Sequence, residues 1–302
     1  MNGAFPAFLP PAVAQLQAID SIAIARQIQR LDITTPLFAD PVATSYVRAG
    51  EVGSPLLLLH GFDSSVLEFR RLLPLLTPTR QTWAVDLLGF GFTNRPPNLF
   101  VSPTAIRQHL YAFWEQAIAQ PVILVGASMG GAAAIEFALD YPGAVAAIVL
   151  LDSAGAQAGP SMGKYLFPPL GYLAAEFLRQ PAIRKQISRA AYFDKATFAT
   201  PEADRCAALH LKLPGWHNAL ATFTKSGGYP ALGDRLGEIS VPALVVWGQD
   251  DGILGTRDAK VFAEGLPDRE LVWIEKCGHV PHLEVPKDTA AAIANFLQVR
   301  QL

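Results

Sequence analysis

Cysteine is scarce. The 302 residues hold two, Cys206 and Cys277, with no short-spaced pair that could form a redox motif or a metal knuckle. Disulfide stapling is therefore excluded as the means of holding this chain together, and a reducing compartment is the expectation. Charge of one sign is lacking too, since 24 Lys and Arg stand against 26 Asp and Glu for a net charge of −2. That balance argues against a nucleic-acid binder, which needs a basic patch. No long apolar run suits a membrane span: the longest uncharged stretch, Gln116 to Ile135, contains Gln, Pro, Ser and several Gly. The first twenty residues carry no Lys or Arg and are interrupted by Pro6, Pro10 and Pro11, unlike a secretory signal. A cytoplasmic, non-secreted protein is expected.

What is abundant is apolar sequence in strand-sized pieces. Charged residues make up 17% against about 25% in an average soluble domain, while hydrophobic residues reach 51%. Runs at Leu56 to His60, Thr82 to Asp86, Val122 to Gly126, Ala144 to Asp152, Ala243 to Gly248 and Glu270 to Glu275 read as strands buried on both faces. Helix-spaced segments separate them, among them Val66 to Leu76 and a closing helix Pro286 to Leu297 with proline in its first turn. The alternation predicts an α/β fold with a mostly parallel sheet covered on both faces. It breaks between Ser153 and Ile239, where helical segments carry Gly, Pro and aromatic residues. The expected organisation is a core from 1–152 and 240–302, with a helical cap inserted at 153–239.

Gly126-Ala127-Ser128-Met129-Gly130 follows one apolar run directly and precedes a good helix. On such a strand-to-helix turn a serine hydroxyl is held out of the sheet, and small neighbours are required because the backbone is tight. Without that context the five-residue pattern is a weak signal, and the bland reading is a glycine-rich turn. A serine needs a base to take its proton, and the base needs an acid to orient it. Asp251 follows the strand at Ala243 to Gly248, and His279 follows the strand at Glu270 to Glu275, both at strand ends where α/β sheets place their sites. Asp250 and Asp152 are rival acids and His282 a rival base. A zinc site on His279 and His282 lacks a third ligand. The oxyanion donors would be the N–H groups of Met129, next to the serine, and Phe62, in the loop after an early strand. His60 suits a loop-organising role, and His109, His210 and His217 read as ordinary structural or surface histidines.

HGFDSS at His60 to Ser65, DLLGFGFT at Asp86 to Thr93, GASMGG at Gly126 to Gly131, WGQDDGI at Trp247 to Ile253 and CGHVPHLEVP at Cys277 to Pro286 occur in this order. Over nearly its whole length the chain resembles the α/β-hydrolases, and Ser128 sets it apart from the aspartate-nucleophile dehalogenases and epoxide hydrolases. Within that family it is similar to the chlorophyll dephytylases of plastids and cyanobacteria, which share HGFDSSxLE (His60 to Glu68), the stretch Thr82 to Phe92, and LHLKLPGWHNALATFTKSGGY from Leu209 to Tyr229. The SMGGAAA run after the nucleophile departs from the plant pattern, and the transit peptide of a plastid enzyme is lacking.

The resemblance implies cleavage of the phytyl ester of chlorophyll or pheophytin, with no cofactor and with magnesium belonging to the substrate. Pocket walls would come from Tyr165, Leu166, Phe167, Leu170, Tyr172, Phe177, Phe193, Phe198, Trp216 and Phe223, although aromatic residues at helical spacing more often pack a core. Peripheral contact with the thylakoid membrane is expected through Phe5, Phe8 and Leu9 and through the segment Lys164 to Leu178. Two rivals stay open: another serine hydrolase on the same scaffold (carboxylesterase, perhydrolase or carbon–carbon bond hydrolase), and a ligand receptor that kept the fold with little turnover.

Overall fold

The computed structural model describes residues 3–157 and 176–302. Eight strands, β1 (Gln29–Ile33), β2 (Val42–Ala49), β3 (Leu56–Leu59), β4 (Thr82–Val85), β5 (Val122–Ala127), β6 (Val145–Leu151), β7 (Ala243–Gly248) and β8 (Arg269–Ile274), form one sheet in the order β1-β2-β4-β3-β5-β6-β7-β8. From β4 to β8 every pairing is parallel; β2 pairs antiparallel with both β1 and β4. All six strands read from sequence are present. The antiparallel pair is an addition, because its residues (QRLDI and VATSYVRA) mix charged and apolar side chains and present no continuous apolar run.

The apolar runs are continuous because each strand feeds two cores. Leu57 and Leu59 point into one cluster with Ile106, Leu110 and Phe113 of helix α3 (Pro103–Ala117) and Ile135 and Phe137 of α4 (Met129–Asp140). Leu56 and Leu58 point the other way, onto Ile24 of α1 (Ile19–Gln27) and onto Ile293 and Phe296 of the last helix, Pro286–Val299. A fully buried leucine contributes about 2 kcal/mol. The helix expected over Val66 to Leu76 is instead two short pieces, a 3₁₀ turn at Val66–Phe69 and a helical turn α2 at Leu73–Leu76. Pro74 accounts for the break: it has no N–H to donate and its ring would meet the carbonyl four residues back.

Phe5, Phe8 and Leu9 are not free for membrane contact as expected. Leu9 is buried in the second core, Phe5 and Phe8 pack against it, and the guanidinium groups of Arg26 and Arg30 lie 5.4 and 4.1 Å from the Phe5 and Phe8 ring centres. Among the described residues no helix is long and apolar enough to cross a membrane. Between β6 and β7 the described residues form helices and no strand, including α5 (Pro181–Ala190), α6 (Lys195–Phe198), α7 (Pro201–Ala208) and α8 (Trp216–Ser226). The chain runs from β3 to β4 on one side and then returns to β5 on the other. This reversal opens a crevice at the carboxyl ends of β3 and β5, where ligands of such sheets are held.

Candidate active site

Ser128 sits at that crevice, between β5 and α4, with φ 50° and ψ −118°. A non-glycine residue at positive φ is strained, and here the surroundings hold it. Its N–H donates to the Leu151 carbonyl (3.0 Å), and its own carbonyl accepts from the N–H groups of Gly131 (2.9 Å) and Ala154 (3.0 Å). The flanking glycines follow from close approach: a Cβ on Gly126 would overlap the Gly130 carbonyl, and one on Gly130 the Leu59 carbonyl of β3.

The side chains expected as nucleophile, base and acid meet. Ser128 Oγ lies 2.9 Å from His279 Nε2, and His279 Nδ1 lies 2.9 Å from Asp251 Oδ2. The other carboxylate oxygen of Asp251 accepts from the N–H groups of Ile253 (2.7 Å) and Leu254 (3.0 Å). With both its oxygens engaged, Asp251 can only accept from His279, so Nδ1 carries the proton and Nε2 is the acceptor for the serine hydroxyl. Burial pushes the Asp251 carboxyl up, but the His279 hydrogen bond and charge and the two backbone N–H groups bring it below its ordinary value. The His279 main-chain N–H is anchored on the Ala191 carbonyl at 2.7 Å.

Asp250 and His282 fall elsewhere, whereas Asp152 lies beside Asp251 and His279. Asp250 is exposed. His282 Nε2 is 3.0 Å from Glu68 Oε1, and Glu68 Oε2 accepts from the Gly61 N–H at 2.9 Å. Burial raises the Glu68 carboxyl, and the close approach of His282 overcomes this and holds it at about 2. Asp152 is buried close by: one oxygen accepts from the Gly248 N–H at 3.0 Å and the other meets no hydrogen-bond partner among the described residues. Burial, followed by the neighbouring Asp251 charge, pushes its carboxyl well above the usual range. Ligand-type atoms of Asp152, Asp251 and His279 lie within 4.8 Å of one another. The His279 nitrogen on that side is already committed to Asp251 as a donor, so the cluster reads as a proton-sharing set.

Met129 is the first residue of α4, so its N–H has no acceptor within the helix and lies at the positive end of the helix dipole. Phe62 lies in the loop after β3. His60 organises that loop from within: its Nε2 accepts from the Leu87 N–H (3.1 Å), leaving Nδ1 to donate to the Gly61 carbonyl (2.8 Å). The next residue, Asp63, was not singled out by sequence reasoning. It has φ 48° and accepts from Arg184 Nη1 (2.6 Å), Trp216 Nε1 (2.8 Å) and His210 Nε2 (3.1 Å). Burial raises its carboxyl, and these partners override that and hold it at about 2. Burial keeps the His210 ring below its ordinary value, so Arg184 supplies the formal countercharge.

A cavity of about 300 Å³ opens from Ser128 and His279, walled by Leu67, Leu178, Ile187, Tyr192, Cys206 and Leu283. Leu178, Ile187, Tyr192 and Cys206 come from the β6–β7 segment. Of the pocket walls expected from sequence, Tyr165, Leu166, Phe167, Leu170 and Tyr172 lie outside the described residues. Trp216 is not on the cavity wall; it is fully buried against Leu211 and Leu220, because its indole N–H is spent on Asp63. Phe177 and Phe193 are exposed and off the wall, Phe198 stacks on Tyr192, and Phe223 packs on Phe62 and Phe90.

The profile of the alpha/beta hydrolase family matches residues 56–292. An alpha/beta hydrolase domain-containing protein, VTE7 of Arabidopsis thaliana, is 31% identical over 97% of this chain and 90% of its own length. The 2-hydroxy-6-oxo-6-(2'-aminophenyl)hexa-2,4-dienoic acid hydrolase of Metapseudomonas resinovorans is 30% identical over 87% of this chain and 90% of its own. Among solved structures, a thermophilic esterase from Thermogutta terrifontis superposes with a TM-score of 0.76 at 25% identity, covering 89% of this chain and 98% of that one.

Proposed function

This chain belongs to the α/β-hydrolase family, and from that premise we propose that it is a serine esterase acting on the phytyl ester of chlorophyll or pheophytin. The observation that carries the esterase reading is the unbroken hydrogen-bond path from Asp251 through His279 to Ser128, ending on an apolar cavity. As Ser128 Oγ attacks the ester carbonyl, its proton passes to His279 Nε2, and Asp251 stabilises the imidazolium. The oxyanion that forms is met by the N–H groups of Phe62 and Met129; one such donor is worth about 3 kcal/mol of barrier. His279 then protonates the departing alkoxide, and phytol leaves. Water, deprotonated by the same nitrogen, releases the acid and restores the serine.

The substrate assignment rests on the motif resemblance and on the character of the cavity. Its 300 Å³ stands at the lower end of small-ligand sites, which span about 300–1,000 Å³, and its accessible lining is mostly apolar, although Asp63, Glu68, Arg70 and Arg184 also border it. It suits an apolar chain, leaving a ring at the mouth beside Phe62, Ile187 and Ile253, all exposed and all on the cavity wall. In this reading residues 153–239 form the cap, and the exposed mouth, rather than the N-terminus, makes peripheral contact with thylakoid lipid. A carbon–carbon bond hydrolase is the second reading, favoured by the dienoic acid hydrolase relative.

Purified protein and its Ser128→Ala variant, given detergent-dispersed chlorophyll a, short nitrophenyl esters and a 2-hydroxy-6-oxohexa-2,4-dienoate, separate these readings. Chlorophyllide from the wild type alone supports dephytylation. Cleavage of the short esters without chlorophyllide leaves a general esterase, and cleavage of the dienoate alone replaces both.

A further inference from the structure

Among the described residues Asp63 makes no hydrogen bond to Ser128, His279 or Asp251, yet with Arg184 it lines the same cavity. Three donors converge on its carboxylate: Arg184 Nη1 at 2.6 Å, Trp216 Nε1 at 2.8 Å and His210 Nε2 at 3.1 Å. Arg184 reaches further, with Nη2 on the Asp63 carbonyl at 3.4 Å and on the Ala207 carbonyl at 3.0 Å. All of these donors belong to the segment between β6 and β7. Asp63 itself belongs to the loop after β3 and directly follows Phe62, whose N–H is the oxyanion donor that does not come from a helix terminus.

The backbone explains why this matters. At φ 48° Asp63 occupies the left-handed region, which aspartate tolerates better than most non-glycine residues, and its three partners hold it there. The Phe62 N–H belongs to the peptide before Phe62, whose plane follows the ψ of Gly61 and the φ of Phe62, so Asp63 acts on that N–H through where it holds the Phe62 Cα and ring. The Phe62 ring is gripped from the same segment, 5.7 Å from the Phe223 ring of α8, with Phe90 of the core 5.9 Å away on another side. The neighbouring donor, Met129 N–H, is fixed by α4 and needs none of this.

We propose that Asp63 is a positioning residue: by binding Arg184, His210 and Trp216 it makes the Phe62 half of the oxyanion hole conditional on docking of the β6–β7 segment. Substrate entry that displaces α5 or α8 would relax the loop and leave Met129 as the sole donor. Closure over a bound ester would restore the second donor when the oxyanion forms. The hole is then assembled by two parts of the chain, and only one half is permanent.

The inference rests on the serine-esterase reading, and its test keeps the two apart. Asp63→Asn, Asp63→Ala, Arg184→Gln and Trp216→Phe would be assayed with p-nitrophenyl butyrate and with an alkyl trifluoromethyl ketone, whose adduct with Ser128 carries the oxyanion. Removing a whole oxyanion donor costs about 10²–10³ in kcat. The expected result for Asp63→Ala is a fall in kcat of at least about ten-fold, with KM within about two-fold and ketone affinity weakened in the same proportion as kcat/KM. Arg184→Gln should add little in the Asp63→Ala background, since both changes remove one coupling. Trp216→Phe keeps an aromatic ring, though a smaller one, and removes one N–H from Asp63, so it decides the matter if Asp63→Ala does not fold and Trp216→Phe does. Wild-type kcat and ketone affinity in the folded variants, or a rise in KM alone, would overturn the proposal. A wild type that neither cleaves the ester nor binds the ketone would defeat the esterase reading and this inference together.

Discussion

Asp63 and Asp152 are two buried aspartates with left-handed backbones, φ 48° and 40°, in the loops that leave β3 and β6, the strands on either side of β5 and its serine. Their charge states diverge. Asp63 is surrounded by a guanidinium, an indole N–H and an imidazole and stays ionised down to about 2. Asp152 has one backbone N–H and the carboxylate of Asp251 for company, and it retains its proton well above the usual range. Burial is nearly the same for both, so the donors within reach decide which acid is a charge and which is a proton store. The contrast also divides the site by origin. The groups that move protons are built from loops of the core, whereas the groups around Asp63 are supplied by the β6–β7 segment.

Exchanging acids for amides gives the strongest way to break this division. Asp251→Asn should lower kcat by about 10⁴, because the amide favours the wrong tautomer of His279. Asp152→Asn should cost less than ten-fold; an equal loss would make Asp152 the orienting acid. The second test is stability against pH. Between about pH 4, where an unfolded aspartate releases its proton, and its raised folded value, Asp152 binds more protons folded than unfolded. Its contribution to stability therefore falls as pH rises, by up to about 1.4 kcal/mol per pH unit, and Asp152→Asn should remove that slope in urea titrations.

Asp63 has the opposite sign. Its lowered value contributes stability that is fully present above about pH 4 and lost as pH falls toward 2, amounting to about 2 kcal/mol. Asp63→Asn should flatten the acid limb of the same titration; an unchanged limb would mean that Arg184 and His210 do not engage it in solution. The smallest effect concerns the mouth. Ile187→Ser with Ile253→Ser should weaken co-sedimentation with thylakoid-lipid vesicles by several-fold; both residues also wall the cavity, so vesicle binding and not hydrolysis is the readout. Unchanged sedimentation would remove the mouth as the lipid contact.

The parts of this design visible in the sequence are those coded by local pattern. Strands β3 to β8 announce themselves because burial on both faces demands unbroken apolar runs, and Ser128, Asp251 and His279 because each stands just past such a run. β1 and β2 escape notice because an antiparallel edge tolerates charged residues such as Arg30, Asp32 and Arg48. The Asp63 cluster escapes for a different reason: its partners stand 121, 147 and 153 residues downstream, and no spacing rule links them. Trp216 shows the cost, since its indole suits a pocket wall until the carboxylate beneath it is known. The HGFDSS motif held the one signal available, an acidic residue set between a phenylalanine and two serines.

The three donors on Asp63 bear on how this chain could be re-engineered. Transplanting helices from a relative to change substrate range treats the β6–β7 segment as an interchangeable module. Here the module carries half of a lock whose other half is a single core aspartate. A graft that omits the equivalents of Arg184, His210 and Trp216 would leave a buried carboxylate without partners, a penalty of several kcal/mol for an unpaired ion. A graft that carries all three without an aspartate at position 63 would leave a half-buried guanidinium and a buried indole N–H unmatched. Module and loop would have to be exchanged as one unit, so the smallest portable piece of this protein is discontinuous in sequence.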